Sequence, residues 1–187
     1  MRYYSPPPRV GEYVGIDIKN EGHDHVKEKV DVYYDGKTIP FEKETFDSIL
    51  SSEVFEHVPD MNESCRELSR VLKPHGKILV TVPFVWQEHE LPFDFRRFTS
   101  IGLRKVLNDN GFEIMKEEKT GCFMEVVVQL WMTYLRQLLY VKNKYVNLIL
   151  NIIFISPVCI TGLVLSKILP EKQELYFNTV ILARKVS

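Results

Sequence analysis

Two histidine-bearing stretches hold the residues of this chain best suited to move a proton. The first is FDSILSSEVFEHV, residues 46–58, where an apolar run ends in Ser51-Ser52 and is followed by Glu53, Glu56 and His57. The second is HELPFDFRRFTSIGL, residues 89–103, which concentrates His89, Glu90, Asp94, Arg96 and Arg97. A histidine just beyond the carboxyl end of a strand is a candidate general base. The plainer readings of the same residues are a histidine with a structural hydrogen bond and a surface ion-pair cluster. Two acidic residues stand earlier in the chain: Asp17 at the end of EYVGIDI, and Asp35 before Gly36. In open α/β sheets ligands sit beyond the carboxyl ends of the strands, where a carboxylate can accept both hydroxyls of a ribose. Turn and cap roles are the commoner use of Asp at such places.

Positioning these residues requires strands that end beside them. Residues 12–18, 30–34 and 46–51 read as short strands, and KILVTV (77–82) reads as a buried one. Met61, Cys65, Leu68 and Leu72 share one face of a helix over 61–72, with Asp60 at its start and Pro74 and Gly76 beyond its end. Thr99 is placed to cap a helix over 100–110, closed by Asn110-Gly111. Residues 112–118 alternate as a strand does, and 175–185 read as a last one. Residues 1–9 are Pro-rich and 19–29 are polar; both read as irregular. Helices and strands alternate through 12–118, so the expected class is α/β, a Rossmann-like, mostly parallel sheet with flanking helices.

Composition narrows the function. The formal net charge is −1 with no basic stripe, so no nucleic-acid partner is expected. Cys65, Cys122 and Cys159 form no Cys-x-x-Cys pair, so neither a zinc site nor a disulfide is expected and no metal is assigned. MRYYSPPPRV lacks the apolar run of a secretory signal, and a cytoplasmic location is expected.

The ordered run YVGIDI, YDGKTIPF, FDSILSSEVFEHV, RVLKPHGKILVTVP and FDFRRFTSIGLRKVLNDNGFEI resembles the class I S-adenosylmethionine (SAM)-dependent methyltransferases, in the branch of small bacterial enzymes. The resemblance covers about residues 12–118, and the last strand, expected to be antiparallel, extends it to 185. It implies SAM as cofactor. Asp17 and Ile18 would hold its ribose, Asp35 and Gly36 its adenine, and Ser51, Ser52 and Glu53 would line its methionine side. His57, His89 and Glu90 are then the candidate bases, with Asp94 and Arg97 on the substrate side. The implied reaction is in-line methyl transfer to a hydroxyl or amine of a small molecule, sugar or lipid-linked saccharide.

The sequence departs from that family at its start. No strand with a G-x-G-x-G loop precedes Asp17, although the family places one between the strands that end in Asp17 and Ser51. Those two strands are expected to lose a neighbour or to pair with each other. A binding or scaffold domain without catalysis is therefore the competing function, and a nicotinamide dehydrogenase a third. The chain divides on paper into a core (1–122), an apolar helical insertion (123–170) and a returning strand (171–187). Residues 148–165 carry no charge, long enough for a membrane span. A span would part the last strand from the sheet. Pro157 offers two short helices that dip and return, or a lid. Peripheral contact with the inner face of the membrane through 123–169, core packing and a homodimer contact all stay open.

Overall fold

The computed structural model describes residues 10–18 and 30–186. Residues 1–9 and 19–29, read from the sequence as irregular, lie outside the described residues.

Two separate sheets form. β1 (Ile16–Ile18) and β2 (Val32–Tyr34) pair in parallel, with Asp17 opposite Tyr33. The second sheet has the order β3-β4-β6-β5, built from β3 (Phe46–Ser52), β4 (Leu72–Pro83), β5 (Phe112–Lys119) and β6 (Asn178–Lys185). β3 and β4 are parallel, and β6 runs antiparallel to both β4 and β5, so three of the four strands share one direction. The mixed α/β architecture with a reversed last strand agrees with the sequence. The expectation that the strands of Asp17 and Ser51 might pair with each other does not hold: β1 and β3 stand in different sheets.

One face of the larger sheet carries the core. Along β4, Ile78, Val80 and Val82 are fully buried while Lys77 and Leu79 are exposed, the period-two pattern of a strand covered on one side. The covering elements are α1 (Met61–Val71) and α2 (Ser100–Asp109), which bring Met61, Cys65, Leu103 and Leu107 onto Ile181 and Ala183. Asp60 caps α1 by accepting the N–H groups of Asn62 and Glu63. Thr99 caps α2 through the N–H of Gly102, and Tyr176 Oη accepts the N–H of Ser100 at 2.9 Å. Burial pushes the Cys65 thiol up to about 12, so it packs as an apolar group, and all three cysteines are unpaired.

β4 begins five residues earlier than the sequence pattern suggests, because Leu72 pairs with Phe46 before an irregularity over KPHG shifts the register to Ser48 opposite Lys77. Gly76 is required there: a Cβ would lie 2.7 Å from the Leu72 side chain. The connection from β2 to β3 is tied to α1 by a clamp at Ile39 and Phe41. Arg70 donates to the carbonyls of Ile39 and Phe41, and Glu67 accepts the N–H of Ile39 while pairing with Arg70.

After β5 the chain forms a helical hairpin: α3 (Phe123–Leu138), then α4 (Lys144–Leu150), a π turn (Asn151–Ile155) and α5 (Ser156–Ile168). Pro157 does not split this second arm, which runs as one helix from Lys144 to Ile168. A proline removes an N–H and clashes with the carbonyl four residues back. The π turn just before it absorbs that fault by widening the helix locally. The arms meet at Gly162, where a Cβ would lie 2.5 Å from Val128 Cγ1. Gly162→Leu is therefore expected to force the arms apart and cost about 1–3 kcal/mol in chemical denaturation. A change within about 0.5 kcal/mol would mean that the arms do not depend on this contact.

Candidate active site

The carboxyl ends of β3 and β4 open into a cleft of about 630 Å³ whose walls include Ser52, Glu53, Thr81, Trp86, His89 and Gln129. Ser51 is buried within β3. Glu53 has a left-handed backbone (φ 54°). Its carboxylate accepts from Thr81 Oγ1 and from Asn178 Nδ2, both at 2.8 Å. Ser52 Oγ lies 3.0 Å from Thr81 Oγ1. Glu53 thus joins the ends of β3, β4 and β6. Thr81 and Asn178 were missed by sequence reasoning: Thr81 lies within KILVTV, read only as a buried strand, and Asn178 is 125 residues away from Glu53.

A 3-10 turn, Phe55–His57, follows β3 and sets the next residues. His57 Nδ1 lies 3.0 Å from the carbonyl oxygen of Phe93. A carbonyl only accepts, so Nδ1 donates to it, and Nε2 is the ring nitrogen turned toward the acidic side chains. Glu90 Oε2 lies 3.4 Å from that Nε2, and Glu56 Oε1 lies 3.8 Å from it. The His57 and His89 rings meet edge to face at 4.8 Å. The structure therefore gathers all three candidate bases, His57, His89 and Glu90, into one group.

Asp94 and Arg97 hold that group together. The Asp94 carboxylate is 1% exposed and takes both terminal nitrogens of Arg97. It also accepts the N–H of His89 at 2.9 Å. Arg97, through its hydrogen bonds, holds Asp94 well below the usual carboxylate range. Arg97 donates further to the carbonyl of Gln87 at 2.9 Å. The two residues expected on the substrate side are thus engaged with each other and with the backbone that carries His89.

Glu56 is the residue the sequence did not single out for a role. Its side chain is fully buried, and among the described residues neither carboxylate oxygen has a hydrogen-bond partner. Burial pushes its carboxyl up to about 7. Glu56, His57 and His89 bring donor atoms within 4.8 Å of one another. A divalent ion would need these side chains to converge further, since zinc binds nitrogen and oxygen at about 2.0–2.2 Å.

Ser52 and Glu53, expected at the cofactor's methionine side, share the cleft with His89, while the residues expected at its ribose and adenine lie on and just after the β1–β2 pair. Asp17 Oδ1 accepts the N–H of Ile18 at 2.7 Å. Asp35 Oδ1 accepts the N–H groups of Lys37 and Thr38 at 2.9 Å each, which hold its carboxyl below the usual range. Gly36, at φ 78°, completes this turn. Asp17 and Asp35 both raise the Tyr34 hydroxyl by their charge, after burial, so both lie near one end of the β1–β2 pair.

Residues 2–80 match the family described as Methyltransferase domain. Over that segment the chain is similar to methyltransferase domains. Sarcosine/dimethylglycine N-methyltransferase of Halorhodospira halochloris is 32% identical over 106 residues, 51% of this chain and 37% of that protein. Demethylmenaquinone methyltransferase of Staphylococcus haemolyticus (strain JCSC1435) is 32% identical over 98 residues, 46% of this chain and 41% of that protein. The chain thus spans about two fifths of the length of these curated relatives. Phosphoethanolamine N-methyltransferase 2 of Haemonchus contortus, solved in complex with S-adenosyl-L-methionine, has a TM-score of 0.50 at 17% identity, over 83% of this chain and 36% of that one. That likeness bears on the fold.

Proposed function

We propose that this chain belongs to a SAM-dependent methyltransferase that methylates a hydroxyl or amine of a small molecule, sugar or lipid-linked saccharide. The observation that carries the reading is the His57 geometry, with the ring fixed through Nδ1 by the Phe93 carbonyl and Nε2 turned toward Glu90. Those residues suit the taking of a proton from an acceptor hydroxyl. After transfer, Glu90 would hold the imidazolium, and Asp94 with Arg97 would keep His89 in place.

The cofactor would supply a methyl group already activated on a sulfonium. Its ribose and adenine fit the carboxyl ends of β1 and β2, where Asp17 and the Asp35-Gly36 turn stand. At its methionine end the fit is poorer: Glu53 is engaged by Thr81 and Asn178. That engagement, with β1–β2 in a sheet of its own, favours a second reading, a methyltransferase-like binding or scaffold domain without catalysis.

Calorimetric titration with S-adenosylhomocysteine separates the two. The methyltransferase reading expects micromolar binding by the wild type and at least a tenfold loss, about 1.4 kcal/mol, in Asp17→Ala. A folded chain that gives no heat with S-adenosylhomocysteine would leave the scaffold reading standing.

A further inference from the structure

We propose that the α3–α5 hairpin is a lipid-docking surface that lies along an anionic bilayer. The helix from Lys144 to Ile168 has 25 residues, and only 11% of its most apolar stretch is buried. Leu148, Ile152 and Leu163 on this arm, and Leu130, Trp131 and Tyr134 on α3, are all more than two fifths exposed. An exposed apolar surface of this extent marks a binding face.

Topology decides how a bilayer can be met. β5 leads into α3 and α5 returns to β6, and β6 pairs with β5 and β4. Both ends of the hairpin therefore stand on the same side, and a single crossing is excluded. A crossing by both arms would carry Lys142, Asn143 and Lys144 at the tip, and Gln129 and Arg136 on α3, through hydrocarbon, which is costly. Lying in the interface avoids that cost, with apolar side chains toward the acyl chains and Trp131, Tyr140 and Tyr145 at headgroup level.

Charge selects the occupant. Residues 126–170 hold Arg136, Lys142, Lys144 and Lys167 and no acidic residue, although the whole chain carries −1. A second copy docked on this face would oppose like charges, whereas anionic headgroups complement them. Gln129 of α3 also lines the cleft that holds His89. Resting on the methyl-transfer reading, this adjacency makes a lipid-linked headgroup the acceptor class. The docking itself stands without that reading.

The test is co-sedimentation of the whole chain with vesicles, without cofactor. Most of the protein is expected to sediment with phosphatidylcholine–phosphatidylglycerol vesicles, and several-fold less with phosphatidylcholine alone. Salt at about 1 M, where the screening length falls to roughly 3 Å, should weaken the former several-fold. Leu148→Glu/Ile152→Glu/Leu163→Glu should lose at least tenfold in binding with an unchanged circular dichroism spectrum. Should that variant not fold, Lys142→Gln/Lys144→Gln at the exposed tip replaces it, and a several-fold loss on anionic vesicles is expected. Wild-type protein left in the supernatant, or equal binding by the variants, overturns the proposal. So does a dimer in light scattering that the triple glutamate variant dissolves and vesicles do not, which assigns the face to a second copy.

Discussion

Arg97→Met is expected to destabilise the protein by about 2–4 kcal/mol in urea unfolding at pH 7. The reason is the partner left behind. Asp94 is 1% exposed, and removing its guanidinium strands a buried carboxylate, which costs about 3–5 kcal/mol when both partners are fully buried. Arg97 keeps 22% of its side chain in water, which argues for the lower figure. The pH dependence carries a sign. Arg97 holds the folded Asp94 carboxyl below its ordinary value. The pair's stabilisation is therefore present above about pH 4 and is lost as pH falls through the folded value. In Arg97→Met the stranded carboxylate takes up a proton more readily, so the deficit against wild type should shrink toward low pH. Adding Asp94→Asn to Arg97→Met should recover part of the loss, because no buried charge remains. If Arg97→Met instead unfolds within about 0.5 kcal/mol of wild type while acceptor KM rises, the arginine serves substrate and not the loop.

That prediction turns on what a local pattern can and cannot say. α1 was legible because Met61, Cys65 and Leu68 recur at helical spacing behind an Asp cap, and all three face the core. α2 was legible from Thr99 and from Asn110-Gly111, where Gly111 takes φ 83°. His57, His89 and Glu90 were named from two stretches that lie beyond the carboxyl ends of strands, whereas their meeting in one group is seen only in the fold. Other features depend on partners that no local spacing encodes. Glu53 looks like a free carboxylate in SSEVFEHV until β6 brings Asn178 against it. Asp94 and Arg97 look like substrate contacts until the loop folds them onto each other. Pro157 reads as a break, and the π turn that accommodates it lies in residues with no special signature.

Glu56 is the sharpest case, since a glutamate beside a histidine gives no sign in sequence that it will be fully buried without a hydrogen-bond partner among the described residues. Glu56→Gln keeps the shape and removes the charge, and is expected to stabilise the protein at pH 8. The folded carboxyl is raised by burial from 4.5 to about 7. The native state therefore binds the proton more tightly than the unfolded chain, and wild-type stability falls as pH rises between about 4.5 and 7, then levels. A shift of that size corresponds to roughly 3 kcal/mol as an upper bound. His57, His89, Arg97 and Glu53 face this carboxyl, and the variant also removes its interaction with each of them. Glu56→Gln should thus match wild type near pH 4 and exceed it by about 1–3 kcal/mol at pH 8, read from urea midpoints across the range. Parallel stability curves for the two proteins would mean that Glu56 gains a partner in solution. A carboxyl that holds a proton near neutrality, 3.8 Å from His57 Nε2, would also share the proton that His57 takes. Under the methyl-transfer reading, Glu56→Gln should then shift the pH profile of the rate, while a purely structural glutamate would change stability and leave that profile in place.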